Sequence, residues 1–225
     1  MKLVIFDVDG TLVDSQNIIV ASQQAAFAAF DLEPPTREAS LSIVGLSLAE
    51  AFIILAGPHA PIEGLVSAYK EAFGVLRMDP ALAEPLFPGA EECLDGLGER
   101  PGVILGIATG KTMRGVAHLL DRHGWHDKFA TIQTADGAPS KPHPAMILQA
   151  MEDVGAAPHQ TVMIGDSSYD MAMARAAGVL PIGVSWGFQP VTALTEAGAH
   201  HIVHSYDGLA PVLDAFLAGD RQAAQ

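Results

Sequence analysis

Apolar and polar positions along the chain change rhythm several times, and each change marks a predicted element. Residues 2–6, Lys2 followed by Leu-Val-Ile-Phe, form a short run rich in branched side chains that predicts a buried strand. From Ser15 the pattern turns helical, with Ile18, Ile19, Ala26, Phe27 and Phe30 as candidate buried positions and Asp14 or Ser15 as N-cap. Glu33-Pro34-Pro35 breaks that helix, and Thr36 caps a second that Gly45 ends. Ser47 to Glu50 reads as a capping box before a third helix. Gly57-Pro58 stops the third, and Pro61 opens a fourth that runs through Met78. Residues 14–84 are therefore expected to be four helices without a strand.

Strand and helix patterns alternate after Leu86. A helix from Pro88 to about Glu99 precedes a strand from Val103 to Ile107 that ends in Ala108-Thr109-Gly110. A helix over 112–123 is closed by Gly124, and a short strand is expected over 129–134. Lys141-Pro-His-Pro144 opens a helix through Val154, and the strand at 161–164 ends in Gly165-Asp166. A helix over 168–177, strands over 179–184 and 201–203, and a last helix over 209–217 complete the pattern. Such alternation predicts an α/β fold with a doubly wound parallel sheet. The expected division is a Rossmann-like core of residues 1–13 and 85–225, interrupted by a helical insert over 14–84.

Composition narrows the partners. The chain has 225 residues, enough for a proper core, and 49% hydrophobic with 17% charged residues is globular rather than disordered. A net charge of -14 disfavours nucleic acid and anionic membrane surfaces. It does not exclude an anionic small molecule, because a metal ion and two lysines can reverse the sign locally. Cys93 is the only cysteine, so no intrachain disulfide can form and a reducing compartment is expected. No signal-peptide pattern and no apolar run of membrane-spanning length is seen, so a cytoplasmic location is expected, as a monomer or homodimer.

Candidate chemistry gathers at strand ends. The first strand ends in Asp7, and Asp9 follows before the turn residues Gly10-Thr11. Two such carboxylates suit a nucleophile and a proton carrier, although an acidic loop after a core strand would look the same. In a doubly wound sheet, ligands bind beyond the C-terminal ends of the strands. Asp7, Thr109 and Asp166 all end strands, and Lys141 lies in the loop after another. Asp170 follows Asp166 by four residues, a spacing that puts both carboxylates on one face of a helix. Clustered acids repel one another, and a hard dication such as Mg²⁺, which prefers oxygen ligands, would relieve them.

These segments together resemble the haloacid dehalogenase-like hydrolases, in the branch with a helical cap inserted after the first motif. DVDGT at 7–11, Thr109 in IATGK, Lys141 in SKPHP, and Asp166 with Asp170 in GDSSYD match the four motifs in order. The resemblance implies a Mg²⁺-dependent phosphomonoester hydrolase. Asp7 would attack phosphorus to give an aspartyl-phosphate, and Asp9 would protonate the leaving oxygen and then activate water. Thr109, Gly110 and Lys141 would bind the phosphoryl group. Asp7, Asp9 through its main-chain carbonyl, and Asp166 would hold the metal, with Asp170 in or just outside that set. Dehalogenases and phosphonate-cleaving members lack an acid at the Asp9 position, and the latter also use a cap lysine, of which Lys70 is the sole candidate here. A sugar phosphomutase of the beta-phosphoglucomutase type would keep all four motifs, and a non-enzymatic phosphate-binding regulator is a further alternative.

The substrate is expected to be a small phosphorylated metabolite. Ile43-Val-Gly-Leu-Ser-Leu48 resembles the cap segment of phosphoglycolate phosphatase-like members, which makes 2-phosphoglycolate the first candidate. Arg37, Ser47, His59, Tyr69, Lys70 and Arg77 are the polar side chains of the insert available for specificity. Gly110-Lys111-Thr112 is similar to the end of a P-loop, but Leu105 stands where that motif needs glycine. Lys111 then reads as a solvated helix start. Met146, Met151, Met171 and Met173 read as core filler, His200, His201 and His204 as structural, His143 as a loop residue, and Cys93 as buried and inert.

Overall fold

A computed structural model describes residues 1–219. In chain order the elements are β1 (Lys2–Phe6), helices α1 (Gln16–Ala28), α2 (Arg37–Ser42), α3 (Leu48–Ala56), α4 (Ile62–Leu76) and α5 (Ala90–Gly98), then β2 (Val103–Thr109) and α6 (Met113–His123). There follow β3 (Thr131–Thr134), α7 (Ala145–Val154), β4 (Thr161–Gly165), α8 (Ser168–Ala177), β5 (Leu180–Val184), α9 (Val191–Glu196), β6 (His201–Val203) and α10 (Tyr206–Ala218). The six strands form one parallel sheet in the order β3-β2-β1-β4-β5-β6. Strand order reverses at β1, between β2 and β4, and this is where the crevice of a doubly wound sheet opens.

Alternation along β1 sorts its side chains between two layers, as the two-residue period of a strand requires. Val4 and Phe6 pack with Leu94, Leu119 and Leu209 from α5, α6 and α10. Leu3 and Ile5 pack on the other face with Met146, Met151 and Met173 from α7 and α8. Met171 is buried as well, so the four methionines read as core filler all lie inside. Phe6 pairs in register with Ile107 of β2 and Ile164 of β4. Asp7 therefore lies level with Ala108 and Gly165, one residue short of Thr109 and Asp166, so all three polar side chains emerge at one edge.

The helices between β1 and α5 carry apolar clusters of their own. One joins Ala26 and Phe27 of α1, Phe52 of α3, and Leu65 and Tyr69 of α4. Its rings run Phe27–Phe52–Tyr69–Phe73, with centroids 6.1, 6.0 and 5.8 Å apart. A second cluster, with Ile19, Ile43, Val44 and Leu46, receives Tyr169 and Phe188 from the sheet side. The chain passes into and out of this helical segment at two adjacent crossings. Val13 bridges Leu86, Asp14 N–H donates to Pro85 O at 2.8 Å, and Phe87 N–H donates to Leu12 O at 3.0 Å.

Local differences from the sequence reading have clear causes. The α3 capping box is half-formed: Ser47 Oγ accepts from Glu50 N–H, but the Ser47 N–H donates to Ser140 Oγ across the molecule at 2.8 Å. Ser15 occupies the N-cap of α1 without capping it, because its hydroxyl donates to Asp9 instead. The six-residue α9 follows Pro190, and its sequence VTALTE, with two threonines and a valine, carries little helical signal. The last helix starts earlier than expected because Ser205 caps it through Gly208 N–H.

Candidate active site

Asp7 is the first residue beyond β1 and is 1% exposed. Its own N–H donates to Ile164 O of β4 at 2.9 Å, and its Oδ1 accepts from Val8 N–H at 2.7 Å. Its Oδ2 faces the Lys141 ammonium at 3.0 Å, and the same ammonium donates to Asp170 Oδ1 at 2.6 Å. The other Asp170 oxygen accepts from the Ser167 hydroxyl and N–H at 2.6 and 3.1 Å. Asp166 is held through both oxygens, by Thr11 Oγ1 at 3.1 Å and Phe188 N–H at 2.8 Å. Gly10, at φ 84°, makes the approach possible: a Cβ there would lie 2.2 Å from Asp166 Oδ2.

Asp166 and Asp170 do meet, though not on one helical face. Asp166 belongs to the loop after β4, whereas Asp170 is the third residue of α8, whose N-cap is Ser167. The turn at the helix start brings them together, and Asp170 completes a capping box with Ser167. Asp7, Asp166 and Asp170 each offer an oxygen within 4.8 Å of the others. Three buried carboxylates facing one ammonium leave two negative charges uncompensated. Burial pushes the Asp7 carboxyl up to about 7 against the pull of Lys141, with Asp170 adding to the rise. Burial also raises Asp166 well above the usual range, helped by Asp170 and Asp7. Burial alone would lower Lys141, but Asp170 and Asp7 hold it up to about 12. Oxygen donors, tight spacing and a deficit of two charges fit a small divalent cation.

Asp9 lies apart from that cluster. Its Oδ1 accepts from Ser15 Oγ at 2.7 Å and from the Lys111 ammonium at 2.8 Å. Lys111 also donates to Glu84 Oε1 at 3.0 Å, and its side chain is only 9% exposed. The reading of Lys111 as a solvated helix start is therefore wrong. Thr112 is the N-cap and α6 begins at Met113, which leaves Lys111 in the loop, turned back to the Asp9 carboxylate. Thr109 is 1% exposed, and its Oγ1 accepts from Lys111 N–H at 3.2 Å.

Asp7, Asp9, Thr109 and Gly110 border a cavity of about 350 Å³, which the helical segment roofs with Val44, Phe52, Tyr69 and Phe73. Lys141, Asp166 and Asp170 stand behind Asp7, outside its lining. Of the insert's polar candidates, Tyr69, Lys70 and Arg77 reach this cavity. Arg37 does not; it bonds Gln16 and Asn17 side chains at 2.5 and 3.0 Å. Gly110 is where core and roof come closest, since a Cβ there would lie 2.5 Å from Gly45 O and 2.6 Å from Leu46 O. Among the described residues, His200, His201 and His204 join no metal-ligating group. The His200 and His201 rings pack against each other at 4.9 Å, and His204 bonds Ser185 at 2.7 Å. Cys93 is half-buried, and burial pushes its thiol up to about 11.

Glu84, Ser15 and Ser167 were missed as site residues by sequence reasoning. Ser15 shows there only as a helix cap, Ser167 only as part of the GDSSYD motif with no role of its own, and Glu84 carries no local signal.

A parallel sheet with a carboxylate cluster at its strand-order switch, roofed by helices, defines a doubly wound α/β enzyme. Residues 4–184 match the family model of the haloacid dehalogenase-like hydrolases. The chain is 36% identical over 221 residues to "Probable phosphatase IndB" of Dickeya dadantii, covering 96% of this chain and 94% of that one. It is 33% identical over 219 residues to a phosphoglycolate phosphatase of Agrobacterium fabrum, covering 94% and 91%. The crystal structure of a predicted phosphatase from Clostridium acetobutylicum matches with a TM-score of 0.84 at 27% identity, over 95% of this chain and 98% of that one. The chain belongs to the haloacid dehalogenase-like hydrolase family. No helix among the described residues is long and apolar enough to cross a membrane.

Proposed function

We propose that the protein hydrolyses a small phosphomonoester through a phosphoenzyme on Asp7. The observation that carries this reading is the separation of two carboxylates only two residues apart in sequence. Asp7 sits in the buried cluster with Lys141, while Asp9 is held independently beside the cavity. A nucleophile needs fixed aim and a charged surround, and a proton carrier needs access to the leaving oxygen. An Asp7 carboxylate oxygen attacks phosphorus as the bond to the leaving oxygen breaks, and Asp9 gives its proton to that oxygen. Water then attacks the same phosphorus and passes a proton to Asp9. The aspartyl-phosphate bond breaks, which releases phosphate and restores Asp7.

Thr109 and Gly110 bind phosphoryl oxygens from the end of β2, and Lys141 keeps Asp7 aligned while adding positive charge. Asp7, Asp166 and the main-chain carbonyl of Asp9 would hold Mg²⁺, with Asp170 beside them. Bound there, the ion would neutralise charge on the transferring group. Residues 14–84 act as a cap that opens at the two crossings and closes to exclude water. Among substrates, 2-phosphoglycolate is the first choice, supported by the activity named for the Agrobacterium relative and by the likeness of 43–48. A screen of phosphomonoesters with Mg²⁺ tests the reading. Turnover of none would reject hydrolysis, and a strong preference for another ester would replace phosphoglycolate.

A further inference from the structure

One buried cation lies outside the Asp7 cluster. Lys111 touches three parts of the molecule at once: Asp9 after β1, Glu84 at the returning crossing, and α4, where its ammonium lies 5.2 Å from the Phe73 ring centroid. Glu84 is 7% exposed and directly precedes Pro85, whose carbonyl ties the two crossings together. Both donors to Asp9, Ser15 and Lys111, take Oδ1. Among the described residues no donor meets Oδ2. Stability alone is a poor explanation for such a group, because hydrophobic residues often replace a buried ion pair without loss. What the arrangement does fix is which Asp9 oxygen remains available.

We propose that Lys111 is a positioning residue for Asp9, and that Glu84 makes this positioning depend on how the helical segment sits over the cavity. The inference rests on the reading of Asp9 as proton carrier. With α4 seated, Lys111 and Ser15 draw Oδ1 aside and leave Oδ2 to serve the leaving oxygen. A turn at the crossing moves Glu84, draws Lys111 with it and loosens Asp9. Proton delivery is thereby tied to closure, so that an open site is a poor phosphoryl acceptor for esters that need protonation.

Leaving-group dependence tests this. Phosphoenzyme formation is followed in single turnovers with an alkyl phosphate and with an activated aryl phosphate, which needs little protonation. Lys111→Met should slow the alkyl reaction by about 10²-fold, the size of a general-acid contribution, and the aryl reaction by less than about threefold. Lys111→Arg, which keeps the charge, should recover most of the alkyl rate. Glu84→Gln should show the same selective loss in smaller measure, with faster amide exchange at Asp14 and Phe87 across the crossings. Equal loss with both substrates, or no loss, overturns the positioning role. Selective loss in Lys111→Met beside an unchanged Glu84→Gln overturns the coupling. Lys111→Met leaves two buried carboxylates face to face, and where it does not fold, the selectivity of Glu84→Gln decides. Asp9→Asn is the control: no selectivity there means that the proton-carrier reading fails, and the inference with it.

Discussion

The two halves of the site are built from different materials. Around Asp7 almost every partner is rigid: β1 and β4 backbone, the Val8 N–H, the start of α8, and a lysine with a fully buried side chain. Around Asp9 the partners are a hydroxyl at the head of α1 and a long lysine that also reaches the crossing. Strand ends place a charge to within the tolerance of a sheet. A tether of single bonds places it only when its other end is in place. The first half suits chemistry that must not move, and the second suits chemistry that answers to closure.

The sharpest way to break this comparison is to remove each acid in turn. Asp7→Asn deletes the attacking anion, and turnover should fall at least ~10⁴-fold, with no phosphoenzyme from any substrate. Asp9→Asn keeps the nucleophile, and turnover should fall about 10²- to 10⁴-fold. Rapid mixing with an activated aryl phosphate should still give a burst in Asp9→Asn and none in Asp7→Asn. A burst in the Asp7 variant, or phosphate on another residue, would show that the halves are assigned the wrong way round.

Metal removal comes next. A chelator should abolish turnover and Mg²⁺ should restore it, while Ca²⁺, with longer bonds and looser coordination, should restore little. The same treatment should disturb the Asp9 carboxylate less, because Lys111 and Ser15 hold it from outside the cluster. Full activity in metal-free protein would show that the cluster around Asp7 is structural.

A smaller effect should follow from disturbing the seam between core and roof. Gly110→Ala forces a Cβ against the carbonyls of Gly45 and Leu46, at 2.5 and 2.6 Å in the present arrangement. The roof must lift, at a cost of about 1–3 kcal/mol for an overpacked contact. Turnover of an alkyl phosphate should fall more than that of an aryl phosphate, with little change in metal affinity. Scattering should report a more open shape. Equal loss with both substrates would place the damage in the Asp7 half instead.

The two halves also differ in how well they can be read from sequence. Asp7, Thr109 and Asp166 were legible because each follows an apolar run, and a strand end fixes both position and edge. The Asp9 half was not. Lys111 sits one residue before a helix cap, where an exposed side chain is the ordinary outcome. Nothing local says that it folds back to meet Glu84, 27 residues away in sequence. Ser15 misled in the same way, since a serine before a helix reads as a cap and here serves Asp9. Asp166 and Asp170 were paired correctly for the wrong geometric reason: their contact needs the strand-to-helix turn, which spacing on a helix does not describe. Contacts set by backbone topology survive in one-dimensional patterns. Contacts made by long side chains across the cavity do not.

The smallest effect expected is the share of the pH dependence of stability that the Asp7 half supplies. Burial raises the Asp7 carboxyl from the ordinary 3.8 to about 7. Between those values the folded chain binds more protons than the unfolded one, so stability falls as pH rises. The contribution is fully present below pH 3.8 and is lost as pH passes about 7. Divalent metal should act in the opposite sense, because it binds the deprotonated carboxylates and displaces their protons. With a chelator present, that share lowers Tm from about pH 5 to about pH 8, and Asp7→Asn should reduce the decline, with Asp166 carrying the remainder. The rise in Tm on adding Mg²⁺ should be larger at the higher pH. A slope left unchanged by Asp7→Asn, or a Mg²⁺ increment that is the same at both pH values, would mean that the proton is held elsewhere and that the two carboxylates do not divide the work as their surroundings imply.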